Sequence, residues 1–203
     1  MMAPSDLHPK EIMPVPMRIN ELNNGVFTIE NFLTADECRH YIALGDGIGY
    51  VPSEVNFASG SRRAEDIRNN DRVIFDDPAL ASLLFERARP LLPATVGSGS
   101  GKLWGMNERM RFYRYGPDQF FKWHKDGIFA KSPDEASCLT FMIYLNEEFE
   151  GGATEFKTEL VKPHTGMALV FPHKVAHQGA PIVSGSKYVL RTDVMYRHEP
   201  AQE

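Results

Sequence analysis

Three polar side chains in this chain have the types and the spacing to hold a transition metal. His124-Lys125-Asp126 sets an imidazole and a carboxylate two residues apart, and on an extended backbone that spacing points both side chains to the same face. A third ligand has to come from elsewhere. His177, 51 residues beyond Asp126 and past the Phe171-Pro172 break, is the candidate, placed where a distant strand can return to the same pocket. Two neutral histidines and one carboxylate on one face of an ion suit non-haem Fe(II) and leave positions open for a co-substrate and oxygen. His-x-Asp alone is a weak signal, and for any one of the 7 histidines a surface or structural role is the default. His173 and His164 compete for the third position. Their plainer roles are a neighbour of the ligands or a substrate-facing residue for His173, and a turn residue between Pro163 and Gly166 for His164.

A second feature lies just downstream. From Lys187 to Tyr196 the chain alternates, so that Lys187, Val189, Arg191, Asp193 and Met195 share one face while Tyr188, Leu190, Thr192, Val194 and Tyr196 share the other. The second face is apolar enough to pack under helices. The first carries two cations close to His177, as an anionic co-substrate beside a metal requires; the alternative is a solvated edge strand with a Lys and an Arg in water.

The elements that must position these residues can be read along the chain. Residues 1–17, with Pro4, Pro9, Pro14 and Pro16 and no periodic apolar pattern, read as a tail, and 18–203 as one domain. Val26–Ile29 reads as a strand. Thr34 with Glu37 three residues on forms a capping box that opens a helix, and Gly45, Gly47 and Gly49 stop it. Residues 50–72, polar and rich in arginine and carboxylate, read as a long loop or lid. Pro78–Leu92 has helical spacing and ends at Pro93, and the GSGSG run that follows is a connector. From Arg109 onward the pattern is short strands: 109–115, 119–124, 138–145, 153–156, 167–171 and 187–196. Helices first and many strands afterwards predict a mainly β fold with flanking helices, a double-sheet jelly roll.

Composition narrows the function class. The 203 residues, 42% hydrophobic with 24% charged, suffice for one buried core. A net charge of −5 offers no general basic footprint for nucleic acid. Cys38 and Cys138 are too few for a disulfide framework and read as reduced thiols. No signal peptide or membrane-length apolar run is apparent, so a cytoplasmic setting, which also suits Fe(II), is expected.

Several ordered segments carry a family resemblance. They are Gly25 to Cys38, Arg111 to Asp126, Leu139 to Asn146 (with Tyr144-Leu145-Asn146), Gly151 to Phe156, Pro163 to Phe171 and His177 to Lys187. Together they resemble the prolyl 4-hydroxylase-like branch of the 2-oxoglutarate- and Fe(II)-dependent dioxygenases over most of residues 24–197. The resemblance implies a double-stranded β-helix fold, with His124, Asp126 and His177 as iron ligands. It matches Lys187 to the basic residue that pairs with the far carboxylate of 2-oxoglutarate, and Tyr115 and Tyr144 to hydroxyls contacting the same co-substrate. For either tyrosine a core aromatic with a satisfied hydroxyl is the equal alternative. Arg191 departs from several relatives and is read as binding co-substrate, holding substrate or pairing with Asp193. Fe(II), 2-oxoglutarate and O2 are the implied cofactors, with ascorbate as an optional addition. A peptidyl proline is the favoured substrate, ahead of a free amino acid or small metabolite. Two rivals remain: a nucleic-acid demethylase, suggested by the Arg191 and Arg197 pair, and a jelly-roll binding module without turnover. No membrane partner is expected.

Overall fold

The computed structural model describes residues 15–57, 60–97, 99 and 101–198. Most of the expected tail lies outside these residues; Val15, Pro16 and Met17 are exposed and irregular. The first half contains β1 (Arg18–Glu21), β2 (Phe27–Glu30), α1 (Ala35–Ile48), β3 (Val51–Pro52), β4 (Val55–Phe57), β5 (Gly60–Arg62), β6 (Asp71–Asp76), α2 (Pro78–Ala88), β7 (Thr95–Val96) and β8 (Gly101–Met106). The second half is all strand: β9 (Arg109–Tyr115), β10 (Phe121–His124), β11 (Glu135–Tyr144), β12 (Phe149–Gly151), β13 (Thr154–Phe156) and β14 (Leu160–Val161), followed by β15 (Ala168–Pro172), β16 (His177–Gly179), β17 (Ile182–Gly185) and β18 (Lys187–His198).

Among the described residues the strands form a ten-stranded sheet, ordered β1-β2-β15-β11-β18-β9-β6-β3 with β8 and β7 added beside β18, a four-stranded sheet ordered β10-β16-β13-β14, and two two-stranded sheets, β12-β17 and β4-β5. Every pairing is antiparallel. This is the jelly-roll architecture expected from the strand pattern.

The alternation of side chains splits the core in two. Met110, Phe112, Phe141, Ile143, Val170, Leu190, Val194 and Tyr196 leave one face of the large sheet and pack with Cys38, Tyr41, Leu80, Ala81 and Leu84 of the two helices. Tyr113, Tyr115, Tyr144, Leu169, Phe171 and Val189 leave the other face and meet Phe156 of the small sheet. Burying both faces of a sheet requires apolar residues at successive positions, as β15 shows with its Ala-Leu-Val-Phe run buried throughout. The helices are tied to each other as well. Arg87 of α2 donates from both Nη atoms to the two carboxylate oxygens of Glu37, at 2.9 and 2.6 Å.

Some expectations need correction. The capping box at Thr34 and Glu37 forms, but α1 runs through Gly45 and Gly47 and stops at Gly49, which takes φ 97°. Gly45 serves packing: a Cβ there would lie 2.6 Å from the Tyr50 hydroxyl. α2 ends at Ala88 and continues as one 3-10 turn, Arg89–Leu91, because Pro90 withholds the next amide donor. The GSGSG connector includes Ser98 and Ser100, which lie outside the described residues, and Gly101 already belongs to β8. Residues 50–72 are not one open loop. They supply β3, the β4–β5 hairpin and the start of β6, with Arg68 and Asn70 buried; residues 58 and 59 lie outside the described set. Cys38 and Cys138 are free thiols, and no described helix is long and apolar enough to cross a membrane.

Candidate metal centre and co-substrate cleft

The small sheet brings the two histidines together. β10 and β16 pair antiparallel with His124 directly opposite His177, so two residues 53 positions apart in the chain become cross-strand neighbours. His124 accepts Phe121 against its ring at 3.5 Å between centroids, and His177 meets the edge of Phe171 at 4.5 Å. Each Nδ1 faces a main-chain carbonyl, that of Lys122 at 2.7 Å for His124 and that of Val175 at 3.1 Å for His177. A proton on Nδ1 satisfies both carbonyls and leaves both Nε2 lone pairs free to bind.

Asp126 lies just past the end of β10, where its amide donates to the His173 carbonyl at 3.0 Å. Its Oδ1 is 3.7 Å from His124 Nε2 and its Oδ2 is 3.8 Å from His177 Nε2. One ligand atom from each of the three residues falls within 4.8 Å of the others, a separation that leaves room for one ion among them. Burial, helped by neighbouring His177, pushes His124 down to about 4, and burial also lowers His177. Burial would raise Asp126, but Arg191, His177 and the Thr140 hydroxyl hold it well below the usual carboxylate range. At neutral pH the trio is therefore two neutral imidazoles and a carboxylate, the protonation that metal binding needs.

A buried relay orients Asp126. Thr140, on the inner face of β11, donates its hydroxyl to Asp126 Oδ2 at 2.5 Å. Its oxygen then accepts from His173 Nδ1 at 2.9 Å, and His173 Nε2 accepts from the Ser137 hydroxyl at 2.9 Å. That chain requires His173 to be neutral, in line with its burial-lowered basicity. His173 thus neighbours the trio through Thr140, while His164 has an exposed side chain and lies in a turn.

Behind the trio, a narrow inner cleft is lined by Tyr113, Tyr115, Phe121, His124, Asp126, Thr140, Met142, Thr154, Phe171, His177, Lys187, Val189 and Arg191. Lys187 is 4% exposed. Its Nζ donates to the Gly152 carbonyl at 2.5 Å and lies 5.1 Å from the Tyr144 ring and 5.6 Å from the Tyr115 ring. Gly152 has φ +65°, and a Cβ there would fall 2.4 Å from Ile182 Cδ1, so the close approach of this carbonyl needs glycine. Burial pushes the Lys187 ammonium down to about 7. A buried cation with a single carbonyl partner is a site prepared for an anion. The donor set at the trio and this cation fit Fe(II) and a dicarboxylate respectively.

The tyrosines and Arg191 resolve unequally. Tyr115 lines the cleft. Tyr144 is fully buried behind it and donates its hydroxyl to Thr154 at 2.7 Å. Arg191 places Nη2 3.1 Å from Asp126 Oδ1 and 3.3 Å from Asp193 Oδ1, so it braces a carboxylate of the trio and pairs with Asp193. Arg197 points elsewhere, to Glu135 at 2.7 Å and over Trp104 at 3.4 Å; the two arginines do not share a cleft. Residues the sequence reading passed over are Thr140, the one hydroxyl within the run Cys138 to Ile143, and Arg68, which nothing local distinguishes from its neighbours.

Comparison with known proteins agrees with this geometry. Residues 110–192 match the profile of the 2OG-Fe(II) oxygenase superfamily. A protein of Acanthamoeba polyphaga mimivirus named "Putative prolyl 4-hydroxylase" is 33% identical over 193 residues, covering 84% of this chain and 74% of its own. Prolyl 4-hydroxylase 1 of Arabidopsis thaliana is 24% identical over 200 residues, and the match spans 80% of this chain and 66% of that relative's length. Among solved structures, the viral collagen prolyl hydroxylase of Paramecium bursaria Chlorella virus-1 superposes with TM-score 0.60 at 21% identity, covering 86% of this chain and 97% of that one, which supports the fold. By its sequence relatives and its fold, the chain belongs to the prolyl 4-hydroxylase-like 2-oxoglutarate- and Fe(II)-dependent oxygenases, dioxygenases that use Fe(II), 2-oxoglutarate and O2.

Proposed function

We propose that this dioxygenase hydroxylates a prolyl residue in a peptide or protein and releases succinate and CO2, with residues 18–203 acting as one catalytic domain. The observation that carries the reading is the placement of His124, Asp126 and His177 at the mouth of a cleft whose inner end holds the buried Lys187. The names of the relatives favour proline: besides those above, a prolyl hydroxylase of Trichoplax adhaerens, solved with a peptide fragment, has the same fold at TM-score 0.61 and 19% identity over 85% of this chain and 84% of that one.

In this reading the three side chains hold Fe(II), which with bound 2-oxoglutarate supplies the oxidising power for hydroxylation. Lys187 pairs with the far carboxylate of the co-substrate, and that carboxylate holds the ammonium charged in a dry pocket where the pair is strong. Tyr115 shapes the same end, with Tyr144 and Thr154 behind it. Arg191 and Thr140 hold Asp126 from two sides, which keeps its oxygens turned to the ion. The apolar walls of Phe121, Met142, Phe171 and Val189 exclude water from the reacting centre.

The test is mass spectrometry of proline-containing peptides after incubation with Fe(II), 2-oxoglutarate and O2. Expected is the gain of one oxygen on proline with succinate in equal amount. Oxygen gained by a free amino acid or metabolite, with none on any peptide, overturns the prolyl reading.

A further inference from the structure

In front of the trio the cleft widens into an outer space open to solvent. Six cations line it, Arg68, Arg72, Arg109, Arg111, Lys125 and Arg191, against the three carboxylates of Glu54, Asp126 and Asp193. This excess sits in a chain whose overall charge is −5. Bound metal would make it larger, because Asp126 faces the ion.

The cations are only partly answered by the protein. Arg68 is 6% exposed; its Nε donates to Asn70 Oδ1 at 2.6 Å, while its Nη2 is buried with no hydrogen-bond partner among the described residues. The guanidinium lies 4.5 Å from the ring centroids of both Tyr113 and Phe121, so it is locked in place and oriented. Arg109 pairs with Asp76 at 3.2 Å and Arg111 with Asp193 at 3.1 Å, whereas Arg72 meets Glu54 loosely, its Nη1 donating to the main-chain carbonyl at 3.2 Å and its Nη2 lying 3.4 Å from the carboxylate. Lys125 is exposed at the rim. The field is felt inside: burial would raise Tyr113, yet Arg191, Arg68 and Arg111 together pull its phenol down. The rim also carries Ile128, 61% exposed, and Phe129, 37% exposed.

A preorganised guanidinium with an unmet donor, a focused positive field and an apolar lip together recognise carboxylates next to an apolar side chain. Building on the peptidyl reading above, we propose that the substrate is an acidic peptide segment: Asp or Glu residues beside the hydroxylated position meet Arg68, Arg72 and Lys125, and an adjoining apolar residue rests on Ile128 and Phe129. A nucleic-acid strand fits less well, because it needs a basic track along the surface, and Arg197 is not among the residues lining this space but is paired with Glu135.

The experiment measures binding by fluorescence anisotropy to the Fe(II)- and 2-oxoglutarate-loaded protein without oxygen. Labelled peptides carry Glu, Gln or Lys flanks around a central proline, each with a twin in which alanine replaces that proline; an oligonucleotide serves as competitor. The Glu-flanked peptides, alanine twin included, should bind about tenfold or more tightly than the Lys-flanked ones, the effect of roughly one charge-assisted pair. Arg72→Glu with Lys125→Glu should reverse that order. Lys125→Glu alone, at an exposed position, should shrink it if the double variant does not fold. Binding that ignores flank charge, or an oligonucleotide that displaces the acidic peptide at lower concentration, overturns the proposal. If no proline peptide gains oxygen while the acidic preference and its reversal persist, the prolyl reading fails and the charge selectivity stands.

Discussion

The two larger sheets among the described residues meet across one cleft and bring different chemistry to it. The four-stranded sheet supplies neutral nitrogen: His124 and His177, paired across β10 and β16. The ten-stranded sheet supplies charge and hydroxyls: Lys187 and Arg191 from β18, Tyr113 and Tyr115 from β9, Thr140 from β11. Only Asp126 belongs to both, following β10 in the chain and held by Thr140 and Arg191. Under the proposed assignment the two histidines of the metal centre and the lysine of the co-substrate pocket rest on separate sheets, so that each can be damaged with little loss of the other.

The largest effect should come from the small sheet. Replacing His124, Asp126 or His177 with Ala should abolish 2-oxoglutarate turnover and Fe(II) retention, with circular dichroism near that of the native protein; full iron occupancy in His177→Ala would remove that residue from the trio. Next comes the large sheet. Lys187→Ala should raise the 2-oxoglutarate KM by orders of magnitude, from a loss of about 3–5 kcal/mol when a buried carboxylate loses its partner, and should leave Fe(II) affinity nearly unchanged. A parallel fall in iron affinity would erase the distinction between the sheets. Thr140→Val removes the hydroxyl that joins them. It should weaken Fe(II) binding by about 10–100-fold while the 2-oxoglutarate KM moves less, as measured by metal titration.

The smallest effect is one of pH. Folding drives Lys187 down to about 7, so above that value the co-substrate must bind to a pocket whose lysine has lost its proton. The 2-oxoglutarate dissociation constant should therefore rise about tenfold per pH unit above 7, with a proton taken up on binding. The same shift has a definite sign for stability. Between about 7 and the ordinary lysine value near 10.4 the unfolded chain holds a proton that the folded chain has shed, so the contribution of Lys187 to apo stability rises with pH across that window. Isothermal titration in buffers of different ionisation enthalpy would detect the proton uptake, and a flat profile would mean that Lys187 stays charged in the free enzyme.

Much of this arrangement is legible in the sequence. His-x-Asp and the alternation from Lys187 to Tyr196 are local patterns, and a strand converts them directly into shared faces. The capping box at Thr34 is local too. What escaped depended on contacts between distant segments. The opposition of His124 and His177 is a matter of register between strands. Gly45 looks like a helix stop in sequence but is the gap that admits Tyr50. The polar stretch 50–72 hides short strands, because β3, β4 and β5 are only two or three residues long, too brief for an alternating pattern to show. Arg68 gains its importance only from the two rings that enclose it.

β18 pairs with β9 so that Lys187 faces Tyr115 and Arg191 faces Arg111 across the ladder. A slip of one residue would turn both cations into the helix-side core and put Tyr188, Leu190 and Val194 into the clefts. Such a chain would pay twice, in unpaired buried charge and in exposed apolar surface. A mis-registered copy therefore cannot persist as a folded but inactive impostor; it declares itself to the chaperones and proteases of the cell as an unfolded one.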